Sequence, residues 1–243
     1  MSQPEYLPGA TEDPSVQAAA RKALELITDG ARIGLGSGRA VSAFIAMLGA
    51  RCSEGMRVSG VATSRATERQ ARQSGIPLVA LEAGGPLDIT IDGADEVAPS
   101  LDLIKGWGGA LVRERIVAAA SRRQVIIIGA DKLVSRLGER GRLPLEVIPF
   151  AKNLVIDAVQ ALGLHPTLRL DDTLQPLISE NGNLTLDCAP AEPIRDESAA
   201  RELERALLGI VGVVDTGLFL GTAERVLVGY PDGRVDSRVR TQG

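Results

Sequence analysis

Apolar residues recur at helical spacing over residues 15–29 (Ala18, Ala19, Leu24, Leu26, Ile27), and the run stops at Gly30, a residue suited to ending a helix. A short apolar strand at 32–35 then meets Gly36-Ser37-Gly38, and helical spacing returns over 40–48. The cycle repeats with a strand at 58–61, a Thr63-Ser64 turn, a helix at 65–74 closed by Gly75, and a strand at 78–81. Residues 87–91 predict another strand, 110–120 a helix, and 125–128 a continuously apolar strand of the kind buried on both faces. This alternation predicts an α/β fold, a Rossmann-like parallel sheet with helices on both faces.

From Pro144 the rhythm changes. Strands are predicted at 145–148, 167–170, 184–188 and near 211–214, with helices at 151–162 and 197–208. The order β-α-β-β-α-β is the split βαβ, ferredoxin-like arrangement, so a smaller α+β domain is inserted in the first. Residues 218–230, strand-like at 225–229, return to the first sheet. The expected organisation is a Rossmann-like catalytic domain at 15–142 and 214–233, a small domain at 143–213, and a flexible N-terminal arm at 1–14. The arm has no apolar run, so neither signal peptide nor membrane span is expected.

Composition narrows the chemistry. Twenty-seven basic and 31 acidic residues give a net charge of -4 without a block of one sign, so neither nucleic acid nor membrane is an expected partner. Cys52 and Cys188 lack metal-type spacing and read as free thiols, which points to the cytoplasm. A single histidine, His165, removes Ser-His-Asp hydrolysis and His-rich zinc sites; in G-L-H-P-T it reads as a loop residue.

Residues 92–115 concentrate what chemistry remains, reading D-G-A-D-E-V and then I-K-G-W-G-G-A-L-V-R-E-R. Carboxylates followed by a lysine and open backbone N–H groups can move protons and hold the resulting oxyanion. Asp92, Asp95 and Glu96 follow a strand, at the sheet edge where open α/β folds bind ligands, although Asp92-Gly93 equally reads as a turn and Asp95 or Glu96 as a cap. Asp88 and Asp102 read as solvated charges. Lys105 precedes Gly106-Trp107-Gly108-Gly109 and a helix start, and Trp107 is either a wall for a ligand or a packing anchor. On that helix Val112, Ile116, Ala119 and Ala120 form the apolar stripe, and Glu114 lies about 200° round from Val112. Periodicity alone therefore places Glu114 in solvent; only its closeness to the glycine turn argues otherwise. The loop 34–40 (G-L-G-S-G-R-A) joins strand to helix and suits an anion, with Ser37 and Arg39 as donors. It fails the dinucleotide fingerprint, since Arg39 stands where a glycine is needed. Asp131 and Lys132 also follow a strand, and Lys132 can reach a phosphate or simply solvent.

Together the segments I-G-L-G-S-G, D-G-A-D-E-V, L-I-K-G-W-G-G-A-L-V-R-E, L-P-L-E-V-I-P-F-A, E-N-G-N-L-T-L-D-C and G-V-V-D-T-G-L-F resemble ribose-5-phosphate isomerase of the A type, from about residue 16 to 233. The resemblance implies interconversion of D-ribose 5-phosphate and D-ribulose 5-phosphate in the non-oxidative pentose phosphate pathway, without metal or organic cofactor, in a homodimer or homotetramer. It implies Glu114 as the base moving a proton between C2 and C1 through a cis-enediol, and Asp92 at ring opening and hydroxyl proton traffic. Asp95 would orient the sugar hydroxyls, with Gly93 and Ala94 beside the substrate. Lys105 and the N–H groups at Gly106, Trp107 and Gly108 would stabilise the enediolate oxygen. The loop Ser37, Gly38, Arg39, Ala40 and Lys132 would bind substrate, chiefly its phosphate. Two departures stand out: the family's G-T-G-S-T is G-S-G-R-A here, and its K-G-G-G is K-G-W-G. Arg39 can replace two neutral donors with one charged fork.

Three other readings compete. A related sugar phosphate would suit the altered loop. A non-catalytic sugar-phosphate sensor would need a DNA-reading module, for which the roughly fifteen residues ahead of the first helix leave no room. An acyl-CoA transferase relative would use a glutamate as nucleophile.

Overall fold

The computed structural model describes residues 13–240. The expected arm at 1–14 therefore lies outside it except for Asp13 and Pro14, which open the first helix. In chain order the elements are α1 (Pro14–Leu24), β1 (Arg32–Leu35), α2 (Arg39–Ser53), β2 (Ser59–Ala62), α3 (Arg65–Gln73), β3 (Ile89–Asp92), β4 (Glu96–Val97), β5 (Leu103–Ile104) and α4 (Leu111–Ala119). There follow β6 (Gln124–Gly129), β7 (Leu143–Val147), α5 (Lys152–Ala161), β8 (Leu164–Leu168), β9 (Leu184–Pro190), α6 (Glu197–Leu208), β10 (Val213–Thr216), β11 (Leu218–Phe219), β12 (Arg225–Gly229) and β13 (Val235–Val239). Local chemistry sets several helix starts. The Asp13 carboxylate accepts the Ser15 N–H ahead of α1, Ser64 Oγ accepts the Thr67 N–H ahead of α3, and the Asp196 carboxylate caps α6.

The chain forms two compact units. The first runs to Gly93 and adds Val117–Asp131 and the chain from Glu224 onward; the second is Ala94–Ile116 with Lys132–Ala223. In the first unit β2, β1, β3, β6 and β12 pair in parallel in that order, and β13 closes the β12 edge antiparallel. This is the expected parallel sheet, and every residue of β6 is buried. Ile33, Leu35, Ile91, Val125 and Ile127 meet the helix residues Ala19, Ala20, Phe44, Ile45 and Leu48 in its core. The strand predicted at 78–81 is reduced to one bridge between Leu78 and Gly60. Strand β13 had no expectation, because its V-D-S-R-V sequence is mostly polar and it pairs along one side only.

In the second unit β10, β7, β9 and β8 form an antiparallel sheet in that order, with α5 and α6 joining the strands as in the predicted split βαβ pattern. Leu145, Val147, Val155, Val159, Leu186 and Leu207 fill its core. A three-stranded antiparallel ribbon, β11-β5-β4, belongs to this unit too. Residues 94–116, 132–142 and 214–223 thus belong to the second unit, whereas the chain pattern grouped them with the larger sheet. The reason is that β4 and β5 are two-residue strands paired with each other, and β5 takes its other partner, β11, from more than 100 residues further on. His165 also differs from its expected loop: it lies within β8, exposed.

Candidate active site

The first unit carries the glycine turn after β1 and, among the described residues, the buried carboxylate of Asp92. Strand β1 runs into Gly36-Ser37-Gly38, and α2 starts at Arg39 with Gly38 as its cap and no side-chain bond to its first N–H groups. Gly38 has φ 99°, which glycine adopts without penalty. Asp92 ends β3, is fully buried, and its Oδ1 accepts the Ser37 N–H at 3.0 Å and the Gly93 N–H at 2.8 Å. A Cβ at position 36 would overlap that carboxylate, so the second glycine of the loop makes room for Asp92. Ser37 Oγ stands 2.9 Å from Thr63 Oγ1, and Thr67 Oγ1 donates to the Gly36 carbonyl at 2.8 Å. Arg39 is exposed and Ala40 buried. The expected residues Ser37, Gly38, Asp92 and Gly93 are therefore one constellation. Thr63 and Thr67 were missed, although the β1–β2 register places the residue after Ala62 beside the glycine turn.

The second unit begins at Ala94 and holds the other carboxylates. Asp95 Oδ2 accepts the Trp107 N–H at 3.0 Å. Burial pushes the Asp95 pKa above its ordinary value, against the opposing pull of that N–H and of the charges on Lys105, Lys132 and Arg142. Lys105 follows β5, with its backbone N–H on the Gly217 carbonyl at 2.9 Å. Its Nζ lies 3.2 Å from Glu114 Oε2, with both side chains buried, and 5.5 Å from the Phe219 ring centroid. Gly106 has φ 101°, and a Cβ there would press on Leu111 at 2.9 Å. The Trp107 indole Nε1 donates to the Arg142 carbonyl at 3.1 Å. The Arg142 guanidinium and Lys132 ammonium stand 5.3 and 5.9 Å from its ring centroid. The Trp107 indole N–H is thus committed to packing, and two cations, one of them Lys132, stand near its ring.

Helix α4 corrects the periodicity. Ile116, assigned to the apolar stripe, is 47% exposed, whereas Glu114 is 5% exposed on the face that also buries Leu111 and Val117. The stripe runs through 111, 114 and 117, and a carboxylate is tolerated in it because Lys105 supplies the countercharge. Asp102 also departs from the solvated reading: it is buried, and its Oδ1 accepts the Gly221 N–H at 2.8 Å. Glu96, grouped with the site by its position, is committed elsewhere. Its carboxylate, with a pKa raised by burial, accepts the N–H groups of Gly138 and Arg140 at 2.6 and 3.0 Å. Arg169 was missed altogether; buried, its Nη1 donates to the carbonyls of both Gly106 and Trp107 at 3.0 Å. Among the described residues no group of three or more His, Cys, Asp or Glu could hold a metal ion, and no helix is long and apolar enough to cross a membrane.

A family model described as ribose 5-phosphate isomerase A (phosphoriboisomerase A) matches residues 59–233. The chain belongs to that family. Ribose-5-phosphate isomerase A of Deinococcus radiodurans is 46% identical over 218 residues, spanning 88% of this chain and 93% of the relative. That of Roseiflexus castenholzii is 46% identical over 220 residues, 90% of this chain and 92% of its own. Among solved structures, ribose 5-phosphate isomerase A from Methanocaldococcus jannaschii superposes with a TM-score of 0.86 at 39% identity, covering 94% of this chain and 99% of that one. A D-ribose-5-phosphate isomerase in complex with phospho-erythronic acid gives 0.88 at 34% identity, over 93% and 98%. Membership of the ribose-5-phosphate isomerase A family agrees with the motifs: D-G-A-D-E supplies Asp92 and Asp95, and K-G-W-G-G with the following helix supplies the Lys105–Glu114 pair.

Proposed function

We propose that this chain interconverts D-ribose 5-phosphate and D-ribulose 5-phosphate through a cis-enediol(ate), with Glu114 as the base. The observation that carries the reading is the buried Lys105–Glu114 pair at 3.2 Å, in the unit that also holds Asp95 and the glycine turn. In the ground state the ammonium balances the carboxylate. When Glu114 takes the C2 proton, the C2–H electron pair forms the C1–C2 double bond and O1 gains the negative charge. Glu114 is then neutral, and Lys105 is left to pair with the enediolate, so total charge in a poorly solvated place is unchanged through the step. Return of the proton to C1, with the O2 proton passing to O1, completes the ketose.

In this reading Asp92 serves ring opening and hydroxyl proton traffic, Asp95 orients the hydroxyls beside Gly93 and Ala94, and the 106–108 turn, whose Trp107 N–H is on Asp95, supports the oxyanion through its Gly108 N–H. Ser37, Gly38, Arg39 and Ala40 bind substrate at the phosphate end with Lys132. Two free cysteines, Cys52 and Cys188, suit the cytoplasm, and a homodimer or homotetramer is the expected assembly. The test is a coupled assay with ribose 5-phosphate and EDTA, run beside Glu114→Gln. Turnover that the variant loses supports both substrate and base; a fully active variant removes Glu114 from the reaction.

A further inference from the structure

Two peptide planes form the glycine turn after Lys105, and one side chain holds both. Arg169, directly after β8, is buried, and its Nη1 lies 3.0 Å from the carbonyl oxygens of Gly106 and of Trp107. The guanidinium is itself fixed, because Nε donates to Asp187 Oδ2 at 2.9 Å and Nη2 donates to Oδ1. Asp187 sits on β9 and also receives Arg142 at 3.0 Å. Burial raises its pKa, but the bonds from Arg169 and Arg142 outweigh this and hold it below the usual value, so it stays an anion at neutral pH.

In a trans peptide the C=O and N–H of one plane point in opposite directions. With Arg169 on the Gly106 carbonyl, the Trp107 N–H must leave the other side, and there it meets Asp95 Oδ2 at 3.0 Å. With Arg169 on the Trp107 carbonyl, the Gly108 N–H must leave that same side. A cation on the two oxygens also polarises the planes and strengthens both N–H donors.

We propose that Arg169 is a positioning residue for the isomerisation: from behind the turn it aims the Trp107 N–H at Asp95 and the Gly108 N–H at the developing enediolate oxygen. The smaller sheet then has a task beyond packing, since β8 and β9 deliver the cation and the anion that set the turn. The proposal rests on the reading of Asp95 and the turn as part of the reaction site, and its test separates the two.

The measurement is steady-state kinetics across pH on the full chain for Arg169→Lys, Arg169→Gln and Asp95→Asn, with melting temperatures alongside. Lysine keeps a charge for Asp187 but cannot donate as a fork to both carbonyls. It is expected to lower kcat by about 10- to 100-fold, as a small misplacement of reacting groups does, with KM changed by less than about threefold. Asp95 faces Lys105, Lys132, Arg142 and the Trp107 N–H. Loosening that N–H removes a force that lowers its pKa, so the acid limb of kcat/KM moves to higher pH in both Arg169 variants. Asp95→Asn removes the limb altogether. An Arg169→Lys chain with unchanged kcat and unchanged acid limb overturns the positioning role, as does an activity loss that follows only the folded fraction. If glutamine prevents folding, lysine decides alone. An active Asp95→Asn chain overturns instead the reading of the site on which the proposal stands.

Discussion

The glycine turns at 36–38 and 106–108 are held differently. In the first, Gly36-Ser37-Gly38, an anion grips a donor: Asp92 takes the N–H of Ser37, besides that of its own neighbour Gly93, and a missing Cβ at Gly36 lets the carboxylate in. In the second, Gly106-Trp107-Gly108, a cation grips the acceptors, with Arg169 on two carbonyls. A turn held by its N–H groups has spent part of its capacity to bind an anion. The second turn gives its Trp107 N–H to Asp95 but leaves the Gly108 N–H for an anion, with both planes polarised by Arg169 on the carbonyls. The difference suits a division of work in which the first turn fixes a carboxylate and the second meets charge that exists only during reaction.

The largest test of that division is Glu114→Gln, expected to lower kcat by about 10³-fold, within the range for loss of a general base, while KM stays within about threefold. Next comes Gly36→Ala. Its methyl group must displace the Asp92 carboxylate, so kcat/KM is expected to fall by about 100-fold, with far-UV circular dichroism unchanged. An alanine at 36 with full activity would show that Asp92 need not sit where the first turn puts it. Arg39→Ala is smaller: KM for ribose 5-phosphate rises about tenfold and kcat holds, as when a binding contact equal in ground and transition states is lost.

The smallest effect is on stability against pH. Asp187 has a folded pKa below its unfolded one, so it contributes stability above the unfolded pKa that is lost as pH falls through the folded pKa. Asp95 has a raised folded pKa, so its contribution is present below the unfolded pKa and is lost as pH rises through the folded one. Urea titrations of Asp187→Asn and Asp95→Asn from pH 3 to 7 are expected to change the pH slope in opposite senses.

Sequence pattern made the parallel sheet legible because continuous apolar runs such as residues 125–128 have few other homes. It made the split βαβ order legible because its helices and strands alternate at short range. It did not reveal β13, whose V-D-S-R-V run pairs only along an edge, nor the grouping of β4 and β5 with β11, which rests on a pairing remote in sequence. Within the site, strand-end position pointed to Asp92 and Asp95. Glu114 defeated periodicity, since a hydrophobic stripe has no symbol for a carboxylate neutralised by a lysine nine residues earlier. Arg169 left no local signal, because two of its partners are carbonyls, which every residue owns, and the third is a carboxylate, Asp187, on the neighbouring strand.

The first unit's sheet places β12 next to β6, a hundred residues upstream, and β13 beyond it. A ribosome making this chain finishes β7 to β10, all within residues 143–216, before residues 225–239 exist. The unit begun first is thus completed last, the reverse of the usual order in which earlier domains close before later ones emerge. Throughout that interval β6 keeps one backbone edge open, the kind of edge that recruits strands from neighbouring chains. A stop codon before Arg225 would make the open edge permanent, so aggregation during synthesis is the expected fate of such truncations.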